Sequence, residues 1–359
     1  MYFVFNPFLF ADAGTLVNAT GNYVNAGTGA TTAFDNKNTL APGMKTYYET
    51  EMLENSREEL IFAQLGKHET LPANHGKSIE WRKWNTMPDL DVLTEGVIPT
   101  GKKLGQTVVT ANVAQYGEYV SVTDQLDLHH VDPVILGATE ELGAAGTKTM
   151  DKNVRAELMT ATNVIIAPTV DLETGLASEN DTVEDMCNSW RNQAVTYMTA
   201  DLVAKAATQL RKNNAPTFAG GRYVAVINPS CTYDLRKDKD WVEAHKYSAT
   251  TEIFNGEIGE LHGVRFVETT LAPITIADES NEKMAVYTTF FLGKDAFAVV
   301  DPEGAGMQTI VHDASEAGGP LNQFSTIGVK MEMAAKILYQ ERIVAVKSNS
   351  SYSFVDAAN

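Results

Sequence analysis

The feature that most limits how this chain can fold is a long stretch without structural pattern, residues 85–106, set between two segments that read as β-strands. It holds Pro88, Gly96, Pro99, Gly101 and Gly105, residues that interrupt both helices and ladders. Connections of that length are uncommon inside a compact domain and usually have a task outside its core. Ahead of it, residues 77–84 alternate with period two: Ile79, Trp81 and Lys83 fall on one face, and Glu80, Arg82 and Trp84 on the other. Behind it, residues 107–122 are rich in Val, Thr and Tyr and read as a strand able to pair with the first. The pattern predicts a long protruding hairpin. A surface loop that touches nothing fits the same residues, so the segment alone leaves both readings open.

The rest of the chain is built to bury a core. Its 359 residues are 44% hydrophobic and 21% charged, ordinary values for a globular protein of one large or two smaller domains. The formal charge is -18, from 28 Lys and Arg against 46 Asp and Glu. No basic patch interrupts it, so reading nucleic acid as a primary function is excluded: that affinity comes from cations placed against phosphates. An acidic surface keeps copies apart until salt screens it. Two cysteines, Cys187 and Cys231, make neither a disulfide framework nor a metal pattern and suit a reducing compartment. Residues 1–13 are apolar and end in Ala-x-Ala, but they lack a basic stretch and are broken by Asn6 and Pro7, so a signal peptide is not expected. No apolar run approaches the ~20 residues of a membrane helix, and a soluble protein with no membrane partner is expected.

Residues 11–43, rich in Gly, Ala, Asn and Thr, read as an extended arm. Residues 44–65 carry Tyr48, Met52, Leu53, Leu60, Ile61 and Leu65 at roughly helical spacing. Asp132 and Pro133 make a helix start, and the pattern runs on to about Leu158, a helix near 40 Å long at 1.5 Å per residue. Its glycines Gly137, Gly143 and Gly146 predict close packing on another backbone. A helix over 200–212 opens after Thr199 and stops before Pro216. Strands are expected at 223–227, 263–269, 284–292 and 296–300, a short helix after Asn228, and an adjacent pair of strands at 324–333 and 335–347.

Little of this sequence suggests catalysis. His129, His130 and Asp132 are the one candidate ligand cluster, but adjacent histidines face different ways. His68 and His75 read as loop histidines. Residues 256–263 match neither a P-loop nor a dinucleotide fingerprint and read as a turn. Cys231 reads as a small apolar residue at a helix start. No catalytic residue, metal or cofactor is assigned.

Several stretches resemble, in order, the major capsid proteins of N4-like tailed phages. They are residues 44–48 (MKTYY), 62–66 (FAQLG), 74–77 (NHGK) with Trp81 and Trp84, 93–97 (LTEGV), 115–119 (QYGEY), 210–216 (LRKNNAP), 240–247 (DWVEAHKY), 255–259 (NGEIG), 263–270 (GVRFVETT) and 320–323 (PLNQ). The resemblance implies an α+β HK97-like capsid fold: an N-terminal arm (1–43), an N-terminal helix (44–66), an extended loop hairpin (67–120), a peripheral domain with a long spine helix (121–194 and 321–359), and an axial domain (195–320). It implies the head protein of a tailed double-stranded DNA phage, self-assembling in the host cytoplasm into hexamers and pentamers of an icosahedral shell. Portal and scaffolding or decoration proteins would be its partners, and the genome would be enclosed without sequence-specific binding. Leu93, Thr94, Glu95, Gly96, Val97, Pro99, Lys102 and Lys103 are then the expected inter-subunit contacts. Some shell relatives cross-link through a lysine, but no partner matches Lys102 or Lys103, which are expected to be solvated. A compartment shell of the encapsulin kind is the alternative, and a soluble enzyme a distant one.

Overall fold

The structure is a computed structural model. It describes residues 61–72, 76–93, 95–96, 98, 101–129, 134–170, 177–191, 196–246, 257–279, 282–304, 306–312 and 323–359. All of them fall in one compact unit, Ser56–Asn359. The predicted arm, most of the helix predicted over 44–65, and the Asp132–Pro133 helix start lie outside the described residues.

A single helical turn, α1 (Phe62–Leu65), leads into β1 (Lys67–Leu71). The hairpin strands are β2 (Ser78–Trp84) and β3 (Gln106–Asn112), antiparallel, with Trp81 opposite Val109. Burial alternates along β2, with Ile79, Trp81 and Lys83 half-buried and the residues between them exposed. The strand expected over 107–122 is two strands: β3 ends at Asn112 and β4 (Ala114–Thr123) begins after Val113. Val113 donates its N–H to the Lys77 carbonyl at the hairpin's root, and β4 then leaves for a different partner. After α2 (Asp124–His129) comes α3 (Val134–Leu158), 25 residues long.

Small elements follow: β5 (Val164–Ile166), β6 (Thr169–Val170), β7 (Ala177–Ser178) and α4 (Val183–Arg191). In α5 (Ala200–Lys212) the Thr199 hydroxyl caps the Leu202 N–H, and Val203, Ala207 and Leu210 are buried. Next are β8 (Tyr223–Ile227), α6 (Pro229–Lys237) capped by Asn228, and α7 (Lys239–Lys246). The remaining strands are β9 (Glu257–Leu261), β10 (Val264–Glu268), β11 (Ile274–Glu279), β12 (Glu282–Leu292), β13 (Phe297–Pro302), β14 (Gln308–His312), β15 (Phe324–Ile337) and β16 (Ile343–Ser348).

Among the described residues the strands make two larger sheets. One runs β5-β16-β12-β8-β10-β9, with β11 also on β12. Its strands β8 and β16 are apolar almost throughout because helices and the other sheet cover both faces. The other runs β1-β13-β15-β14, with β4 along the free side of β15 from Thr123↔Phe324 to Ala114↔Met333. α3 packs on this sheet through Leu142, against Ile327 and Val329.

Four expectations need correction. The terminal strands are not a pair: β15 continues through Ile337, because Ile327, Val329, Met331 and Met333 keep alternating inward, and β16 joins the other sheet beside β12. Residues 256–263 are not merely a turn. β9 fills Glu257–Leu261, and His262 (φ 52) with Gly263 (φ 79) form the two-residue turn into β10, both left-handed as such hairpins require. His68 lies within β1, opposite Val299 of β13, rather than in a loop. Finally, two of the α3 glycines do not meet backbone: a Cβ on Gly146 would lie 2.9 Å from the Met307 sulfur, and one on Gly143 would meet nothing within 4 Å.

Candidate functional site

The hairpin is anchored at one end and bare at the other. At its root, Ile79 and Trp81 of β2 and Val113 pack on Leu71, Ala111, Val300 and Ala334. Lys83 reaches back to the turn after β15, 3.5 Å from the Glu341 carboxylate and 4.6 Å from the centre of the Tyr339 ring. Arg342 covers the same ring at 3.8 Å, so one aromatic ring holds two cations, and the Lys83 contact ties the strand to the body.

The connection beyond Trp84 has its own order. The Asn85 N–H donates to the Gly105 carbonyl at 3.0 Å, and the Thr107 hydroxyl donates to Asn85 Oδ1 at 2.6 Å, closing the neck. A Cβ at Gly105 would lie 2.9 Å from Asn85 Nδ2, so a larger residue would push that side chain aside. Lys102 donates to the Asp89 carbonyl at 2.6 Å and pairs with Asp91 at 3.0 Å. Both lysines are exposed, and Lys102 in addition staples the two arms of the connection.

At the tip, apolar side chains point into water. Leu90 is 94% exposed, Val92 97% and Ile98 93%. Of the residues singled out in the sequence, Leu93, Glu95, Gly96, Lys102 and Lys103 are exposed on this connection, with Gly96 at φ 79 in a turn only glycine enters freely. Thr94, Val97 and Pro99 lie outside the described residues. Leu90, Val92 and Ile98 were missed; their signal was aliphatic residues recurring within a Pro/Gly-rich stretch that offers nothing to bury them.

The described residues hold no trio of acidic, Cys or His side chains placed to bind a metal. Cys231 is fully buried 3.6 Å from the Ser348 hydroxyl, and burial pushes its thiol up to about 12, so it is a packed, protonated thiol and not a nucleophile. His129 ends α2, and His130 and Asp132 lie outside the described residues.

Residues 106–345, most of the chain, match the family model for phage capsid protein. No curated protein matches. The fold is similar to the capsid of Helicobacter pylori bacteriophage KHP30, with a TM-score of 0.65 at 10% identity over 88% of this chain and 99% of that one. It is similar also to the capsid of cyanophage P-SCSP1u (TM-score 0.62, 18% identity, 88% of this chain and 97% of that one). The capsid of Ralstonia phage GP4 is a third likeness (TM-score 0.61, 13% identity, 86% and 96%). A mixed fold of two sheets, a 25-residue helix and a hairpin with an apolar tip is that of an HK97-like shell, and the chain belongs to the phage capsid protein family, a structural family and not an enzyme family.

Proposed function

We propose that copies of this chain close into the icosahedral head of a tailed double-stranded DNA phage, as five- and six-membered rings in which each hairpin tip lies over an adjacent copy. The observation that carries the reading is the tip itself. Leu90, Val92 and Ile98 are aliphatic and almost wholly exposed, and covering apolar surface gains roughly 25 cal/mol per Å². Within one copy that gain is forgone; between copies it is available many times over in a closed shell. The sheet of β1, β4, β13, β14 and β15 with α3 would form the peripheral part and the sheet of β5, β8, β9, β10, β11, β12 and β16 the part around the five-fold and six-fold axes, which moves 297–312 to the first and 343–348 to the second of the expected divisions. The ordered motif series supports placement near the N4-like phages. Portal and scaffolding or decoration proteins would complete the head, assembled in the host cytoplasm. An inner wall drawn from a chain of charge -18 would enclose DNA without gripping it.

Deleting residues 88–104 tests this. The variant should remain folded by circular dichroism, since the root contacts are kept, yet form no shells by electron microscopy. Shells of normal form from that variant would refute the proposal.

A further inference from the structure

We infer that residues 349–359 are a latch that fixes the angle between the two larger sheets, closed where Asn359 engages Arg155 of α3. The chain passes from one sheet unit to the other at 159–163 (α3 into β5), at 293–296 (β12 into β13) and at 338–342 (β15 into β16). These crossings lie side by side. The Leu338 and Tyr339 N–H groups both donate to the Ala296 carbonyl at 3.0 Å, and the Asn163 amide donates to the Gln340 carbonyl at 2.8 Å. Adjoining crossings make a hinge line about which two packed units can turn. The core they share gathers Val154 and Leu158 of α3 with Phe290 and Leu292 of one sheet and Phe297 and Met331 of the other. Apolar burial is non-directional, so it draws the sheets together without fixing their angle.

The tail supplies the missing direction. The Asn359 carboxamide uses both its donors and its acceptor: Nδ2 donates to the Thr270 carbonyl at 2.9 Å and the Ala272 carbonyl at 3.0 Å, while Oδ1 accepts from the Ile274 N–H at 3.1 Å and from Arg155 at 2.9 Å. The Arg155 guanidinium also donates to the Asn359 carbonyl at 2.7 Å and to the Leu271 carbonyl at 2.8 Å. A buried cation of α3 is thereby tied to the β10–β11 connection of the other sheet. Ile274 lies opposite Tyr287 of β12, five residues before that strand ends at Leu292, or ~17 Å at ~3.4 Å per residue. A tie so far from the hinge line resists turning by leverage. It also opens at little cost. Tyr352 is 69% exposed and Val355 70%, so lifting residues 352–359 uncovers little apolar surface, and water can replace the hydrogen bonds that are lost. A chain that serves in both five- and six-membered rings meets its neighbours at two angles, and this use of the latch rests on the assembly reading above.

Spin labels on Lys152→Cys of α3 and Lys283→Cys of β12, both exposed positions, report the angle in unassembled chains, since Cys187 and Cys231 are buried. The labelled parent should give one narrow distance distribution by pulsed electron spin resonance. Asn359→Leu keeps the side chain's size and removes its four hydrogen bonds. It should broaden or shift that distribution with circular dichroism unchanged, and quicken amide exchange at Ile274 at least roughly tenfold. Asn359→Ala, which needs less room, should do the same. An unchanged distribution in both variants would overturn the latch. Electron microscopy of assembled Asn359→Leu should show shells of more than one diameter; a single unchanged diameter would overturn the latch's part in ring choice and leave the assembly reading standing. If the unsubstituted chain forms no shells, the assembly reading falls instead, and the label distances alone decide the latch.

Discussion

Asp151 sits on α3 at 1% exposure, and no cation among the described residues pairs with it. Its carboxylate instead accepts the N–H groups of Ile61 at 2.9 Å, Phe62 at 3.3 Å and Ala63 at 3.0 Å. A helix start leaves such amides without partners, and the side chain of Ile61 cannot supply one, so α3 caps α1 from far along the chain. Phe62, completely buried against Phe290, depends on that placement. Asp151→Ala leaves these donors without an acceptor, at a cost of ~1–3 kcal/mol for each buried group. Denaturant unfolding of the monomer should show a loss of about 3 kcal/mol, with amide exchange at Phe62 and Ala63 quickened. Asp151→Asn keeps one oxygen and should lose about half as much; equal losses would mean that the carboxylate is not the fastener. Nothing in the sequence marks this residue among the 46 acidic ones, because its partners are backbone groups brought there by folding.

Elements declared themselves where the signal is local. α5 was legible from Thr199 to Pro216 because its cap, apolar stripe and stop all lie within its own residues, and β2 was legible because alternation survives on a half-buried face. Strand partners were not: β1 lies beside β13, and β16 beside β12 and β5, pairings set by sequence-distant registers. The tail after β16 was equally hidden. Its fasteners are carboxylates: Asp234 of α6 accepts from Ser350 at 2.8 Å, from the Ser351 N–H at 2.9 Å and from the Ser351 hydroxyl, and Asp356 accepts from Ser353 at 2.5 Å and from Tyr287 of β12 at 2.6 Å. The Ser353 hydroxyl first, then Tyr287, holds the Asp356 carboxyl below its ordinary 3.8. A lowered carboxyl binds fewer protons folded than unfolded, so its contribution is complete above pH 3.8 and is lost as pH falls through the lowered value. Tyr287 is raised above its ordinary 10.0, by burial and then by Asp356, so its contribution is lost in the other direction, as pH climbs past 10.0. Limited proteolysis of the tail against pH should show protection between those limits and release beyond both. Tyr287→Phe should abolish the alkaline limb; an unchanged limb would mean that another group governs it.

The contact proposed for the hairpin tip is legible neither in the sequence nor in a single copy. Residues 85–106 announced that something projects, but a Leu or Val within a loop says nothing about whether a neighbour will cover it, and Leu90, Val92 and Ile98 declare themselves only by their exposure. Two forces then meet on assembly. In the proposed assembly apolar tips would draw copies together at short range, while every copy carries -18 and repels the next at long range. Salt separates them: the screening length is about 30 Å at 0.01 M and about 3 Å at 1 M, whereas burial of aliphatic surface does not depend on screening. Repulsion acts from the whole surface of each copy, so it decides the sign. Light scattering from purified monomer should therefore show assembly accelerating as sodium chloride rises from ~0.01 M toward ~0.5 M. Slower assembly over that range would mean that attraction between opposite charges, not the covering of apolar tips, brings the copies together.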